Sequence, residues 1–132
     1  FNTFGGNTVA MAAANATLEV VQSENLMANA NQVGAIMLSG LRDLMREDER
    51  IGDVRGTGLY LGVEMVKDRE TRAPDGPLAL ALVNEMRRRR VLISATSYNA
   101  NVLKVRPPLI FTAANADQFL TELKAALKTV RT

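Results

Sequence analysis

The sequence predicts an α+β fold in which helices cover a small antiparallel sheet, and three observations indicate this class. Two helical patterns come before any strand pattern, over residues 7–22 and 23–47. Short strand patterns then occur in two groups, near residues 51–66 and 91–105. Further helical patterns separate and follow these groups, so helices and strands do not alternate as they do in a parallel βαβ sheet. The 132 residues, 47% of them hydrophobic, suffice for a single packed domain.

The first predicted helix covers residues 7–22 and is rich in alanine and other apolar residues. Asn7 suits the N-cap position, because its side chain can accept a hydrogen bond from the first helical turn. The apolar content predicts a helix that packs into the core. Its main apolar residues are Val9, Met11, Ala12, Ala16, Leu18 and Val20.

A second helix is predicted to follow directly, with Ser23 as its cap and its end near Glu47. Its apolar residues recur every three or four positions, which predicts one buried stripe along a long helix. The stripe consists of Leu26, Ala30, Val33, Met37, Leu41 and Leu44.

The hydrophobic period changes to two from Ile51 onwards, with a bend expected at Gly56 and Gly58. This alternation is typical of a half-buried strand. Residues 67–77 are polar and contain prolines, which predicts a surface loop, and Pro77 suits the first turn of a third helix. The alternating apolar residues are Leu59, Leu61, Val63 and Met65.

The third predicted helix ends in four consecutive arginines, residues 87–90. Their charge complements the carbonyl end of the helix, which favours a solvated helix end over a binding patch. Residues 91–95 and 102–105 predict two short antiparallel strands, and the prolines at 107–108 end the second. Thr112 is the predicted cap of a final helix. The apolar face of that helix comprises Ala116, Phe119, Leu120, Leu123, Leu127 and Val130.

The composition of these 132 residues restricts the chemistry that they can perform by themselves. The chain has no cysteine and no histidine, so Cys/His zinc sites, disulfides and Ser-His-Asp triads have no residues to form them, and we predict no metal site. The formal net charge of +2 gives little support to nucleic-acid binding. Apolar runs stay far below the ~20 residues of a membrane-spanning helix, so no membrane partner is expected. The missing cysteine suits a reducing compartment, and we expect a cytoplasmic protein.

A glycine turn that leads into a helix is the first candidate binding site. Residues 3–7 have the sequence TFGGN, in which the glycines allow a close approach of the backbone and Thr3 supplies a hydroxyl. The amino end of the following helix favours a phosphate or carboxylate. A simple turn with an N-cap explains the same residues, so this pattern by itself leaves both interpretations open.

Three segments taken together resemble the C-terminal part of class III aminotransferases, which are pyridoxal-phosphate enzymes of fold type I. These segments are TFGGN at residues 3–7, GDVRGTGL at 52–59 and VRPPL at 105–109, and they occur in the family's order. The resemblance implies that the chain is the C-terminal fragment of a larger enzyme. It further implies a connecting helix region at residues 1–24 and a small domain at 25–132.

The resemblance assigns a cofactor role to the first segment. In this family, the threonine that matches Thr3 reaches across a dimer interface to the phosphate of pyridoxal 5'-phosphate held by the other subunit. Asn2 precedes it and is expected to contribute its backbone to the same phosphate. A homodimeric parent is therefore implied. The chain departs from the family at Thr8, where proline is usual.

The second set of candidate residues binds substrate, and it consists of Lys104 and Arg106. The position that matches Lys104 is commonly an arginine that grips a carboxylate or pairs with a glutamate. A lysine is a point charge and cannot form the bidentate contact of a guanidinium, so the substitution puts carboxylate recognition in doubt. The alternative is that both residues are strand-edge charges that pair locally. Arg55 is interpreted as a structural residue.

The resemblance implies an aminotransferase parent that moves an amino group from an amine or amino acid to a keto acid. The family's Schiff-base lysine lies upstream of this segment, so we predict no catalytic residue here and no activity for the fragment alone. Residues 101–108, NVLKVRPP, are also similar to phospho-lyases that act on phosphoethanolamine and related phosphoamines. A third hypothesis is a non-catalytic α+β interaction module.

Overall fold

The computed structural model describes residues 3–130 and confirms the predicted α+β class. These residues form four helices and a small antiparallel sheet, and three of the helices cover one face of the sheet. In chain order the elements are α1 (Thr8–Ser23), α2 (Leu26–Glu47), β1 (Ile51–Thr57), β2 (Tyr60–Asp68), β3 (Ala73–Pro74), α3 (Gly76–Arg88), β4 (Ser94–Thr96), β5 (Val102–Val105) and α4 (Ala113–Thr129).

The sheet has the strand order β1-β2-β5-β4, with antiparallel pairing throughout and β3 added at the end of β2. On the central pair, Leu61 lies opposite Val105 and Val63 opposite Leu103, and all four side chains are buried. They join α2, α3 and α4 in one hydrophobic core. Since successive strand residues face opposite sides, the polar residues between them lie on the sheet face away from the helices.

The turn between β1 and β2 packs directly on α2. Gly58 adopts a left-handed conformation with φ of +50°, and Thr57 and Tyr60 close the turn as register partners. Gly34 of α2 faces this turn so closely that a Cβ atom on it would lie 2.1 Å from the Gly58 carbonyl oxygen. The helix therefore approaches the hairpin at a distance that only a glycine permits.

Arg50 ties the end of α2 to the end of α4. Its guanidinium pairs with Asp48 at 2.7 Å and donates to the carbonyl oxygens of Leu127 and Val130, each at 2.6 Å. These carbonyls belong to the last turn and to the C-cap of α4, where intrahelical donors are lacking. Partial burial of Asp48 opposes its ionisation, but hydrogen bonds and charge from Arg50 outweigh this effect and lower the pKa of the carboxyl.

The predicted helix caps are largely confirmed. The Asn7 side chain accepts a hydrogen bond from the Ala10 amide, and Thr112 forms a capping box with Asn115. Ser23 is not the cap of α2, because it is the last residue of α1. Asn25 occupies the N-cap position of α2 instead. It has a left-handed conformation, and its side chain makes no capping hydrogen bond.

Three further expectations differ from the structure. Residues 67–77 were expected to form a surface loop, but they contain the end of β2, the short strand β3 and the buried Asp75. None of the residues of α1 is buried, although its composition predicted a packed helix, because among the described elements α1 packs only on α2. The strand predicted at 91–95 begins only at Ser94. Arg90 has a φ of +64° and the Val91 amide donates to the Met86 carbonyl, so these residues still terminate α3.

The contact between α2 and the hairpin predicts a large effect of Gly34→Ala. The added Cβ meets backbone atoms that cannot rotate away, so we expect a loss of about 3 kcal/mol in the free energy of unfolding, measured in urea. Gly40→Ala is the matched control on the same helix, because its Cβ meets only the flexible end of Leu120. Helix propensity favours alanine by about 1 kcal/mol there, so this variant stays close to wild type. Equal losses in both variants would contradict the prediction.

The Asp48–Arg50 pair predicts a contribution to stability that depends on pH. The folded state lowers the Asp48 pKa below its ordinary value of 3.8. The contribution is therefore complete above that value and is lost as the pH falls through the folded-state pKa. Asp48→Asn should be less stable at neutral pH and should lose less stability on acidification, as measured by urea unfolding at a series of pH values. Asp117→Asn, at an exposed position of α4, is the control and should follow the wild-type profile.

Candidate functional site

Residues 3–7 form an exposed turn at the start of α1. Gly6 has a φ of +81°, and apart from its chain neighbours no atom of the described residues lies within 4 Å of the position that a Cβ would occupy there. The Asn7 side chain donates to the Phe4 carbonyl and accepts from the Ala10 amide, both at 2.9 Å, so it fixes the turn to the helix. Thr3 lies exposed at the beginning of this turn, and Asn2 lies outside the described residues.

A pocket of about 430 Å³, called the sheet pocket below, lies on the sheet face away from the helices. Gly62 of β2 is the register partner of Arg55 on β1 and of Lys104 on β5, so these three residues form one row across the strands. Because Gly62 has no side chain, the floor of the pocket between the two cations stays open. The lining residues are Arg55, Gly56, Tyr60, Leu61, Gly62, Thr96, Ser97, Val102 and Lys104.

The two cations of this pocket differ in their surroundings. Arg55 forms ion pairs with Asp53 and Glu64, and hydrogen bonds to these carboxylates raise the pKa of its guanidinium. This arrangement agrees with the interpretation of Arg55 as a structural residue. Lys104 is half-buried and forms no ion pair within residues 3–130. The pocket therefore presents one compensated cation and one uncompensated cation.

Arg106 lies in a different environment from Lys104. It is exposed beyond the end of β5 and lines a second cavity, of about 320 Å³, together with Arg90, Met37 and Phe119. Like Lys104, it forms no ion pair in the described part of the chain, so the alternative of local pairing has no contact to support it there. Neither cavity includes a residue of the turn at 3–7.

One wall of the sheet pocket depends on a residue that the sequence analysis did not single out. Asn101 is buried, donates to the Met65 carbonyl at 3.0 Å and accepts from the Ser97 hydroxyl at 2.7 Å. Ser97 and Ala100 have positive φ values, so the loop between β4 and β5 holds a strained conformation that these contacts stabilise. A polar residue immediately before an apolar strand was the available signal, but its partners are distant in sequence.

The described residues offer neither a metal site nor a membrane-spanning helix. Across residues 3–130, no group of three or more Asp, Glu, His and Cys residues is placed to hold a metal ion. No helix within these residues has both the length and the apolar character needed to cross a bilayer.

Comparison with known proteins identifies relatives over almost the entire chain. An alanine–glyoxylate aminotransferase 2-like protein of Drosophila melanogaster is 44% identical over 131 residues, which are 98% of this chain and 26% of that protein. An ethanolamine-phosphate phospho-lyase homologue of Caenorhabditis elegans is 43% identical over 128 residues, which are 96% of this chain and 27% of that protein. The chain thus spans about a quarter of the length of these relatives.

A similar structure and a family model agree with these relatives. A phospholyase from Arthrobacter, solved in complex with phosphoethanolamine, superposes with a TM-score of 0.93 and 39% identity. The match covers 99% of this chain and 31% of that one. The family model described as aminotransferase class III matches residues 1–127. Since this match extends over nearly the whole sequence, the chain belongs to the class III aminotransferase family.

Proposed function

We propose that this chain is the C-terminal small domain of an enzyme that transfers an amino group from an amine or amino acid to a keto acid. The observation that carries the proposal is the half-buried, uncompensated Lys104 in the sheet pocket of a class III family member. A single cation in a partly enclosed site attracts the anionic group of a small substrate. The parent acts as a homodimer in the cytoplasm, with residues 1–24 as the connecting region and 25–132 as the small domain.

Pyridoxal 5'-phosphate is the proposed cofactor, and when bound it supplies the electron sink for reactions at the amine-bearing carbon. The turn at residues 3–7 fits its phosphate, because it is exposed, Gly6 leaves space for a ligand, and it lies at the positive end of α1. The Thr3 hydroxyl donates to the phosphate, and the Asn2 backbone adds a second contact. The phosphate in question is the one held by the other subunit of the dimer.

Substrate recognition is assigned to Lys104 and Arg106. Lys104 holds the anionic end of the substrate as a point charge, and the Thr96 hydroxyl lines the same pocket as a further hydrogen-bonding group. Holding this end fixes the position of the amine-bearing carbon relative to the cofactor. Arg106, at the neighbouring cavity, provides a second cation for a carboxylate.

The lysine that binds the cofactor covalently is proposed to lie outside these 132 residues. Of the lysines in the chain, Lys124 pairs with Glu47 at 2.6 Å, while Lys67 and Lys128 are exposed and line neither cavity. Lys104 belongs to the substrate side of the site. The isolated chain therefore has no transaminase activity under this proposal.

A phospho-lyase parent is the second candidate function. It is supported by the similarity to the Arthrobacter phospholyase, which was solved with phosphoethanolamine, and to the C. elegans phospho-lyase homologue. In such an enzyme, the cation at Lys104 would hold the phosphate group that leaves from the carbon beside the amine-bearing carbon. The two candidates differ in whether a keto acid is consumed.

The decisive experiment assays the full-length protein with two sets of substrates. Alanine with glyoxylate tests transamination, and phosphoethanolamine with and without glyoxylate tests phosphate release. The leading proposal expects amino-group transfer that requires the keto acid. Release of inorganic phosphate at the same rate without a keto acid, together with no transfer from alanine, would replace it by the phospho-lyase.

Replacement of Lys104 tests its assignment to the substrate. Lys104→Gln in the full-length enzyme should raise KM for an anionic amine substrate by about tenfold or more, because a charged hydrogen-bonding partner is lost. Lys104→Arg should retain most of the affinity. Initial-rate kinetics measure both effects.

Lys124→Gln is the matched control, since it removes a lysine from an ion pair on the helix layer. Its KM should equal that of the wild type. An unchanged KM in Lys104→Gln would show that the substrate's anionic group binds elsewhere.

A further inference from the structure

The charge of the sheet pocket is set by four side chains rather than by its lining cations alone. One guanidinium nitrogen of Arg55, Nη1, lies 2.6 Å from Asp53 Oδ2 and also 2.6 Å from Glu64 Oε2. Both carboxylates therefore converge on a single N–H₂ group. Together with Lys104, these residues carry no net charge, although two cations line the cavity.

The strand register brings these groups together. Asp53 and Glu64 are direct cross-strand partners on β1 and β2, and Arg55 lies two residues along β1 on the same face. Two carboxylates directly opposite each other repel, so both are stabilised by the guanidinium of Arg55 that bridges them. The side chain of Arg55 consequently extends along β1 and β2, toward the carboxylates of Asp53 and Glu64.

The alternative position for Arg55 lies over the pocket. Gly62 separates Arg55 from Lys104 in the cross-strand row and offers no side chain to block the way. Neighbouring strands lie about 4.8 Å apart, so the two backbones are about 10 Å apart. Two long cationic side chains can converge on one ligand over that distance. The Arg55 side chain is 52% exposed, so packing alone does not fix its position.

We propose that Asp53 and Glu64 determine the anion selectivity of this pocket, by holding Arg55 along the β1–β2 edge and cancelling its charge. Lys104 is then the cation that faces the ligand without an ion-pair partner among the described residues, in a pocket whose four charged side chains sum to zero. This inference rests on the proposed function, because it takes the pocket as the place where the substrate's anionic group binds. Glu64 is a positioning residue here, since it acts through Arg55 and does not touch the substrate.

The proposal predicts which ligands respond to loss of the clamp formed by Asp53, Arg55 and Glu64. Removing the Glu64 charge raises the net charge of the site by one and leaves Arg55 held by Asp53 alone, so its side chain is less restrained from reaching toward the pocket. Because Coulomb energy scales with the ligand's charge, a dianion gains more affinity than a monoanion of the same shape. Ethyl phosphate and ethyl sulfate are such a pair, since a phosphate monoester is mainly dianionic above its second pKa of about 6.

The experiment measures dissociation constants of ethyl phosphate and ethyl sulfate by isothermal titration into the full-length, cofactor-loaded enzyme at about pH 8. Glu64→Gln should improve binding of ethyl phosphate relative to ethyl sulfate on the order of fivefold. Arg55→Gln should shift the ratio in the opposite direction, because it leaves two carboxylates without their cation. This second variant keeps the test valid if Glu64→Gln does not fold.

Glu47→Gln is the matched control, because it removes a glutamate from an ion pair with Lys124, away from this pocket. Its affinity ratio should equal that of the wild type. A clamp that only stabilises the hairpin would lower the melting temperature of Glu64→Gln and Arg55→Gln without moving the ratio. That result would overturn the inference.

Lys104→Gln separates failure of this inference from failure of the proposed function. If it weakens both ligands while the clamp variants leave their ratio unchanged, the pocket binds the anion and only the role of the clamp is wrong. If it changes the affinity of neither ligand, the anion binds elsewhere, and both the substrate assignment and the inference are overturned.

Discussion

The pairing of β2 with β5 at the centre of the sheet is the contact on which the remaining structure depends. Its register places Leu61 and Val63 opposite Val105 and Leu103, and all four are buried under the helices. The same register places Gly62 opposite Lys104 on the other face. A shift by one residue would exchange the two faces of a strand, so core packing and pocket geometry are determined together.

Two contacts support the β2–β5 pair, one at each of its ends. The β1–β2 turn fits against α2 because Gly34 leaves room for the Gly58 carbonyl. At the opposite end, Asn101 joins the loop before β5 to the Met65 carbonyl of β2. These contacts are polar or closely packed and leave little freedom in the strand positions. The pocket walls are therefore formed by paired strands and by a loop whose position is fixed by the contacts of Asn101.

The electrostatics of the domain follow the same division into two faces. On the helix side, charged side chains connect the helices. Arg50 donates to carbonyl oxygens at the C-terminal end of α4, and Arg89 forms ion pairs with Glu85 of α3 and Glu122 of α4. On the sheet face, the clamp around Arg55 leaves the charge of Lys104 without a partner in the described residues. An uncompensated cation contributes nothing evident to folding, which is why we interpret it as a binding group.

The sequence alone determined the element types and the family. Periodicity located α2, α4 and the alternation of β2, short-range capping by Asn7 and Thr112 was predicted correctly, and three motifs indicated class III aminotransferases. Each of these signals involves residues close to one another in the chain or in a fixed order. Only the tertiary structure decided the exposure of α1, the role of Asn101 and the separation of Lys104 from Arg106 into two cavities. Those features arise from contacts between distant strands, and strand register cannot be deduced from local patterns.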